Sequence, residues 1–280
     1  MSDPRHHSLT VTLVVVALPA EARPLLDHWR LQRVNESSAF PVYRNREQSL
    51  WLIVSGIGKT NAAAAVAHLY HCSGAPDAVW INTGIAGHST MPLGKIFIAH
   101  SITNSTGGYS VYPPLLFKLR CTSENLLSVD VPCDTLPEGC AVDMEASAFH
   151  STATRYSSAE CVQCLKVVSD NADNTLETVS AEKTCGWMAG ACGALDDLRE
   201  ALLALVQHRP ESPAAWPTFL DEVRFSVTQR RQVDELLRRF HALNGDIESL
   251  AVELPDLRNS RSIIEHLRSQ VDAQSVHYER

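Results

Sequence analysis

The sequence has few aromatic residues, no excess of positive charge and no long apolar run. Phe, Trp and Tyr together make up 6% of the 280 residues, too few for an evident platform on which the bases of a nucleic acid could stack. The formal net charge is −8, which leaves no electrostatic footprint for duplex nucleic acid. No apolar run approaches the roughly 20 residues needed to span a membrane. We therefore expect neither a nucleic-acid-binding protein nor a membrane protein.

The sequence also lacks the two common nucleotide-binding loops. The glycine-rich segment 55–60 reads Ser-Gly-Ile-Gly-Lys-Thr, but neither G-x-x-x-x-G-K-[ST] nor G-x-G-x-x-G occurs. A tight strand-to-helix turn with close packing accounts for this segment equally well.

Eight cysteines are present, and their pattern does not favour a metal site. Cys161 and Cys164 form one C-x-x-C pair, but no second pair and no histidine pair accompanies it. Alternation along a strand would place the two thiols on opposite faces. We expect buried, reduced cysteines that behave as small apolar residues, and no metal.

The N-terminal apolar run, residues 9–17, has two interpretations. Arg5 precedes it and Ala20-Glu21-Ala22 loosely resembles a signal-cleavage site. The run is short and β-branched, and a helical pattern follows it at once, so a buried first strand explains it better. We expect a cytoplasmic protein.

Strand and helix patterns then alternate along the chain, which predicts an α/β fold with a mostly parallel mixed sheet flanked by helices. A glycine-rich turn is expected at 83–87. The predicted strands are 11–17, 40–44, 50–54, 78–82, 94–100, 126–131 and 161–168, and the predicted helices are 19–29, 61–71, 143–156 and 181–207.

The character of the chain changes near residue 209. A Pro-rich segment at 208–217 indicates a linker, so we expect an α/β domain at 1–209 and a helical C-terminal appendage at 210–280. Ser226 and Gln229 form a capping box before one helix, and Asn244-Gly245 would end it. Each expected helix has an apolar stripe: Val233, Leu236, Leu237, Phe240 and Leu243 on the first, and Ile263, Ile264, Leu267 and Val271 on the second.

Three acidic residues occupy positions suited to ligand binding. Asp143 and Glu145 flank Met144 at a predicted helix start, and Asp170 follows an apolar strand. Ligands of open α/β sheets bind at the carboxyl ends of the strands. The structural alternative is a helix N-terminus with favourable acidic residues and an Asp N-cap.

Six segments in this order resemble the purine nucleoside phosphorylase and uridine phosphorylase superfamily, and most of all its methylthioadenosine/S-adenosylhomocysteine nucleosidase branch. The resemblance spans most of residues 10–207 and leaves the tail from Pro210 uncovered. The segments are Val16–Glu21, Ser55–Lys59, Ile81–Gly87, Leu93–Ile98, Val142–Ala146 and Ser169–Asp173.

The resemblance implies cleavage of the N-glycosidic bond of a purine nucleoside of the adenine type, with these roles. Asp170 would be the general acid that protonates the leaving base, and Glu21 would activate the attacking water. Glu145 would accept the 2′-hydroxyl, with Met144 packed under the sugar. Four further residues would line the substrate pocket: Ile85, Ala86, Gly87 and Ser169.

Phosphate could replace water as the attacking group, and then it would be a co-substrate. Related phosphorylases carry an Arg where this chain has Asn82-Thr83, and neither Arg23 nor Arg44 falls on that motif. We therefore expect hydrolysis without a cofactor. Phosphorolysis is the alternative, and a catalytically weak nucleoside-binding or partner-binding protein is another. The resemblance also implies a homodimer or higher homo-oligomer and leaves the 5′ substituent of the nucleoside open.

Two departures from the family stand out. The nucleosidases usually have Ser where this chain has Ile85. The segment between His100 and Asp143 is short, and it holds Tyr109, Tyr112 and Phe117 where the family has another helix and a base-covering loop. The base pocket is therefore expected to be rebuilt in this chain.

Overall fold

The apolar run at 12–16 forms the first strand of a mixed β-sheet, and every residue in it is buried. The computed structural model describes residues 10–34, 38–75, 78–133, 136–207, 220, 223–243, 250 and 259–273. The chain divides into two compact units, residues 1–208 and 209–280, which are treated separately below.

The first unit carries all ten described strands and four of the six described α-helices. The strands are β1 (Thr12–Val16), β2 (Gln32–Arg33), β3 (Val42–Arg44), β4 (Leu50–Val54), β5 (Val79–His88), β6 (Ile96–Asn104), β7 (Ser110–Val111), β8 (Thr122–Ser128), β9 (Ala141–Asp143) and β10 (Val162–Asp170). The helices are α1 (Pro19–His28), α2 (Lys59–Ser73), α3 (Ala146–Ala153) and α4 (Ala181–Gln207).

The strand order is β10-β6-β8-β9-β5-β1-β4-β3-β2, with β7 beside β6. β10 also pairs with β5, so five strands, β5, β10, β6, β8 and β9, form a closed ring, from which β1, β4, β3 and β2 extend as an open arm. The carboxyl ends of β5 and β10 lie side by side, with Asp170 paired to Gly87.

The α/β class and the mixed sheet are confirmed, but the sheet is not clearly mostly parallel. Among the described strands five pairings are parallel and five are antiparallel. A parallel connection needs a crossover of a dozen or more residues, usually a helix. Residues 89–95 between β5 and β6 are too few for one, so β6 runs back along β10.

The sheet lies between two helical layers. Along β1, Leu13 and Val15 face the core shared with α2 and α3, whereas Val14 and Val16 face the core shared with α1 and α4. This alternation of a strand buried on both faces explains why the run is uniformly apolar. No described helix is both long and apolar enough to cross a membrane.

Three local predictions need correction. The glycine-rich segment 83–87 is not a turn, because β5 continues through it to His88. Asp143 ends strand β9, and helix α3 begins at Ala146. The central segment contains β7 and the full strand β8, which begins four residues before the predicted 126–131.

All eight cysteines are free thiols. Cys161 and Cys164 belong to the cores on opposite sides of the sheet, as the strand alternation predicts. Only three cysteines are buried, because Cys72 is exposed and four others are partly exposed, so the expectation of buried thiols holds for Cys161, Cys164 and Cys192.

The second unit contains α5 (Val227–Ala242) and α6 (Ser260–Ala273). The predicted capping box is present, since the amide of Gln229 donates to the Ser226 hydroxyl and the Ser226 amide donates to the Gln229 side chain. The two predicted apolar stripes pack on each other together with Leu220 and Leu250. The predicted linker at 208–217 and the Asn244-Gly245 stop lie outside the described residues.

Candidate active site

Glu21 is a buried carboxylate at the junction of β1 and α1. It is 2% exposed and accepts three backbone N–H groups, from Ala17 and Leu18 at 2.8 Å each and from Ile85 at 2.9 Å. Burial raises the pKa of Glu21 above its ordinary value, although these amides and the charge of Lys166 lower it. Glu21 therefore caps helix α1 and also presents a carboxylate of raised basicity to the middle of β5.

Gly84 makes this position of Glu21 possible. A Cβ atom at residue 84 would lie 2.5 Å from Oε1 of Glu21, and the φ of +151° is one that other residues rarely adopt. Only glycine gives the carboxylate room beside the strand.

Glu145 is the second buried carboxylate of the site, at 6% exposed. Its Oε1 accepts the amide of Gly58, at the start of α2, over 2.7 Å. Burial raises the pKa of Glu145 to about 7, Lys166 lowers it, and Asp143 and Glu21 raise it further. Glu145 therefore lies in the same electrostatic environment as Glu21 although 124 residues separate the two along the chain.

Lys166 is the cation of this site, and sequence analysis missed it. Its Nζ lies 2.9 Å from Oδ2 of Asp143, and both side chains are almost completely buried. Burial alone would lower the pKa of Lys166, but Asp143 and Glu145 raise it well above its ordinary value. A signal was available, because a lysine inside an apolar strand buried on both faces must find an anionic partner.

Asp143 is held as a structural anchor. Its Oδ1 accepts the hydroxyl of Ser128 over 2.6 Å, and its Oδ2 accepts the amide of Ala146 over 2.9 Å. The structural alternative for this residue, an acidic cap at a helix start, thus accounts for its contacts together with the ion pair to Lys166.

Asp170 ends β10, where the register shifts between Val168 and Asp170. The hydroxyl of Ser169 donates to its Oδ1 over 2.6 Å, and the carbonyl of Ala86 is a weaker acceptor at 3.4 Å. Burial raises the pKa of Asp170, and only the Ser169 hydrogen bond opposes this. Oδ2 is the carboxyl oxygen that Ser169 does not bind.

The other predicted pocket residues lie around these groups. Val168 and Asp170 pair with Ala86 and Gly87, and the amide of Ile85 binds Glu21. Met144 is half-buried between Asp143 and Glu145. The structure thus places Ser169 and Asp170 at the carboxyl end of β10, beside Ala86 and Gly87 on β5, and places Met144 and Glu145 at the start of α3. Glu21 lies at the start of α1 and binds the Ile85 amide.

The two arginines weighed as phosphate ligands have other surroundings. Arg23 is exposed on α1. Arg44 lies on β3, where it donates to Gln48 over 2.9 Å and stacks 5.1 Å from the centre of the Trp51 ring. At the position where phosphorylases carry an Arg, Asn82 is 1% exposed and donates to the carbonyl of Val15.

No protein-family profile matches the chain, and no curated protein matches it in sequence. Solved structures do match. A 5′-methylthioadenosine/S-adenosylhomocysteine nucleosidase from Helicobacter pylori, crystallised with butyl-thio-DADMe-Immucillin-A, aligns with a TM-score of 0.59 at 12% identity, over 69% of this chain and 99% of that chain.

Two further structures agree with this match. A futalosine hydrolase from Helicobacter pylori aligns with a TM-score of 0.55 at 11% identity, over 69% of this chain and 99% of that one. The nucleosidase from S. pneumoniae, bound to a transition-state inhibitor, aligns with a TM-score of 0.53 at 19% identity, over 70% and 100%. The chain therefore has the fold of these nucleosidases and of the futalosine hydrolase, as the order of its six motifs predicted.

Proposed function

We propose that this protein hydrolyses the N-glycosidic bond of a purine nucleoside of the adenine type. The observation that carries the proposal is the placement of three buried carboxyl groups around strand β5: Glu21 accepts the amide of Ile85, Glu145 interacts electrostatically with Glu21, and Asp170 pairs with Gly87. The solved relatives include nucleosidases and a futalosine hydrolase, which supports hydrolysis of a nucleoside-like substrate by this chain as well.

Asp170 is proposed as the general acid. A purine becomes a good leaving group when its imidazole nitrogen is protonated, and burial raises the pKa of the Asp170 carboxyl, so that it keeps its proton to a higher pH than an ordinary aspartate does. Because Ser169 donates to Oδ1, the proton of Asp170 is directed to Oδ2. The same hydrogen bond fixes the orientation of the carboxyl group.

Glu145 is proposed to hold the ribose. Its Oε1 is engaged by the Gly58 amide, which leaves Oε2 for a sugar hydroxyl. A carboxylate there is also well suited to the positive charge that develops on the sugar ring as the bond breaks. Met144 beside it offers an apolar surface to the sugar.

Glu21 is proposed to take a proton from the attacking water. Its raised pKa brings its basicity toward neutral pH, and its three backbone hydrogen bonds keep the carboxylate fixed. Lys166 lowers the pKa of both Glu21 and Glu145 by its charge, so one buried cation stabilises the ionised form of each.

Water is favoured over phosphate because of the charge at the site. Phosphate carries negative charge into a region that already holds three glutamate and aspartate side chains, Glu21, Asp143 and Glu145. The one cation identified there among the described residues, Lys166, is committed to Asp143. Arg44, on β3, is engaged by Gln48 and the Trp51 ring.

The remaining expectations stand as part of the proposal. The reaction needs no cofactor and no metal, the protein acts as a homodimer or higher homo-oligomer, and it works in the cytoplasm. None of the proposed steps depends on these three points.

The direct test is adenine release from a panel of adenosine derivatives by the full-length protein, with and without phosphate. We expect adenine and a free reducing sugar at a rate that does not depend on phosphate. A strict phosphate requirement with formation of a sugar phosphate would replace the proposal by phosphorolysis. Stabilisation of the protein by these nucleosides without any turnover would favour a binding protein instead.

A further inference from the structure

Gly87 marks a point where two side chains from distant parts of the chain meet. A Cβ atom at residue 87 would lie 2.6 Å from Oδ2 of Asp170 and 2.8 Å from Cδ2 of Leu136. Both groups therefore converge on the same side of strand β5, over a residue without a side chain. Cδ2 of Leu136 and Oδ2 of Asp170 therefore lie beside each other next to Gly87.

The segment that carries Leu136 is fastened to the sheet. The side-chain amide of Asn125 on β8 donates to the carbonyl of Gly139 over 3.2 Å. Strand β9 begins two residues later, and Ala141 pairs with His88 on β5. Leu136 is half-buried and thus reaches Gly87 from a short, anchored connection.

We propose that Leu136 is the wall of the base pocket in this chain, where it covers Asp170 from water and offers an apolar face to the planar purine. This inference rests on the function proposed above and deepens it, because it names a specificity-determining residue outside all six recognised motifs. Between His100 and Asp143, Tyr109 and Tyr112 are 44% and 72% exposed, whereas Leu136 lies beside Gly87 next to Asp170.

The charged side chains near Asp170 do not account for its raised pKa. Lys166, four residues earlier on β10, is bonded to Asp143. His88, next to Gly87 on β5, accepts the amides of Thr90 and Met91 at its Nδ1, and its Nε2 is directed toward Glu124 at 3.8 Å. Asp173, in the loop after β10, is exposed.

Exclusion of water is accordingly the main influence on this carboxyl, since burial raises the pKa of Asp170. Removing the Leu136 side chain should admit water and lower that pKa. Asp170 would then lose its proton at a lower pH than in the wild-type protein.

The experiment compares Leu136→Ala with Leu116→Ala in the full-length protein. Leu116 is 64% exposed, and it lies near Pro114, whose carbonyl accepts from Gln163 at the opposite end of β10. For Leu136→Ala we expect the alkaline limb of the kcat/KM profile to move to lower pH and the Kd for adenine to rise about tenfold. Leu116→Ala should have the pH profile and adenine affinity of the wild type. Leu136→Met, which keeps an apolar side chain, should also keep both properties.

The outcomes separate this inference from the proposed function. If the wild type releases adenine and Leu136→Ala shows an unchanged pH profile and adenine affinity, the inference is overturned while the function stands. If the wild type turns over no nucleoside but binds adenine, and Leu136→Ala alone weakens that binding, the hydrolytic function fails and the pocket wall stands. Equal adenine binding by the two alanine variants overturns the inference in either case.

Discussion

Lys166 and Asp143 form an ion pair in which Nζ lies 2.9 Å from Oδ2, and neither side chain is more than 2% exposed. The pair joins β10 to β9, and its cation also acts on Glu21 and Glu145. Loss of Lys166 would leave the buried carboxylate of Asp143 without its cation, although Ser128 and the Ala146 amide would still bind it.

Lys166→Met should therefore destabilise the protein by about 3–5 kcal/mol, because breaking one side of a buried ion pair leaves an uncompensated charge. The free energy of unfolding in urea measures this. Lys118→Met, at an exposed lysine, serves as the control and should change stability by no more than about 0.5 kcal/mol. Similar values for the two variants would show that the pair contributes nothing to folding.

Asp170→Asn should lower kcat by about 100- to 10,000-fold and leave nucleoside affinity largely intact, because an amide cannot protonate the leaving base. Single-turnover rates and equilibrium binding separate the two effects. Asp173→Asn, in the exposed loop three residues further along, is the matched control and should retain full activity. A correctly folded Asp170→Asn variant with the wild-type rate would remove Asp170 from the mechanism.

Glu145→Gln should reduce the preference for ribose over 2′-deoxyribose nucleosides and slow bond cleavage. A carboxylate accepts hydroxyl hydrogen bonds more strongly than an amide does. The ratio of kcat/KM for the two sugars measures the effect, with Glu47→Gln at an exposed turn as the control. Equal handling of both sugars by the wild type would contradict the assigned contact.

The same variant tests the pH dependence of stability. The pKa of Glu145 is raised from 4.5 to about 7 in the folded protein, so the folded state holds a proton that the unfolded state has released across this interval. The unfolding free energy should therefore fall as the pH rises from 4.5 to 7. Burial raises the pKa values of Glu21 and Asp170 in the same sense, so Glu145→Gln should weaken this fall without abolishing it. The urea midpoints of the wild type and of Glu145→Gln are measured at pH 5 and at pH 8. An equal fall in midpoint between the two pH values for both proteins would refute a raised pKa at Glu145.

A protein ending at residue 209 should remain folded but change its assembly or its partner binding. The apolar stripes of α5 and α6 form one cluster with Leu220 and Leu250. Every residue of this cluster lies after residue 209, so the truncation removes the whole cluster. Circular dichroism and light scattering of the shortened chain measure fold and mass. An insoluble or unfolded product would mean that the tail completes the core of the first unit.

The sequence predicted most elements of the fold because its local signals agree with one another. The uniformly apolar β1 and β4, the helical stripes of the tail and the Ser226–Gln229 capping box each carry a pattern set by near neighbours along the chain. The closed ring depends instead on pairings such as β10 with β5, which join residues some 80 positions apart, as between Gln163 and Ile81. Sequence periodicity carries no information about such long-range pairings. The proportion of parallel and antiparallel strand pairs therefore could not be predicted from it.

The residues of the candidate site divide in the same way, into those that local sequence signals indicate and those that only the fold brings together. Asp170, Glu21 and Glu145 could be proposed as site residues from the sequence because they stand inside recognisable segments. Lys166 was treated as part of an apolar run, although its burial required a partner. Leu136 follows no motif and has an ordinary apolar side chain, so its approach to Asp170 emerges only from the path of the segment between β8 and β9.

A closed ring of strands has no edge at which it can fray. Each strand of the ring is hydrogen-bonded to a neighbour on either side. Separating one strand therefore breaks the hydrogen bonds to two neighbouring strands at once. Backbone amides deep in these strands should therefore exchange with solvent slowly and together, in one cooperative opening. The strand frame that carries Asp170 and Lys166 should then be among the last described parts of the first unit to open.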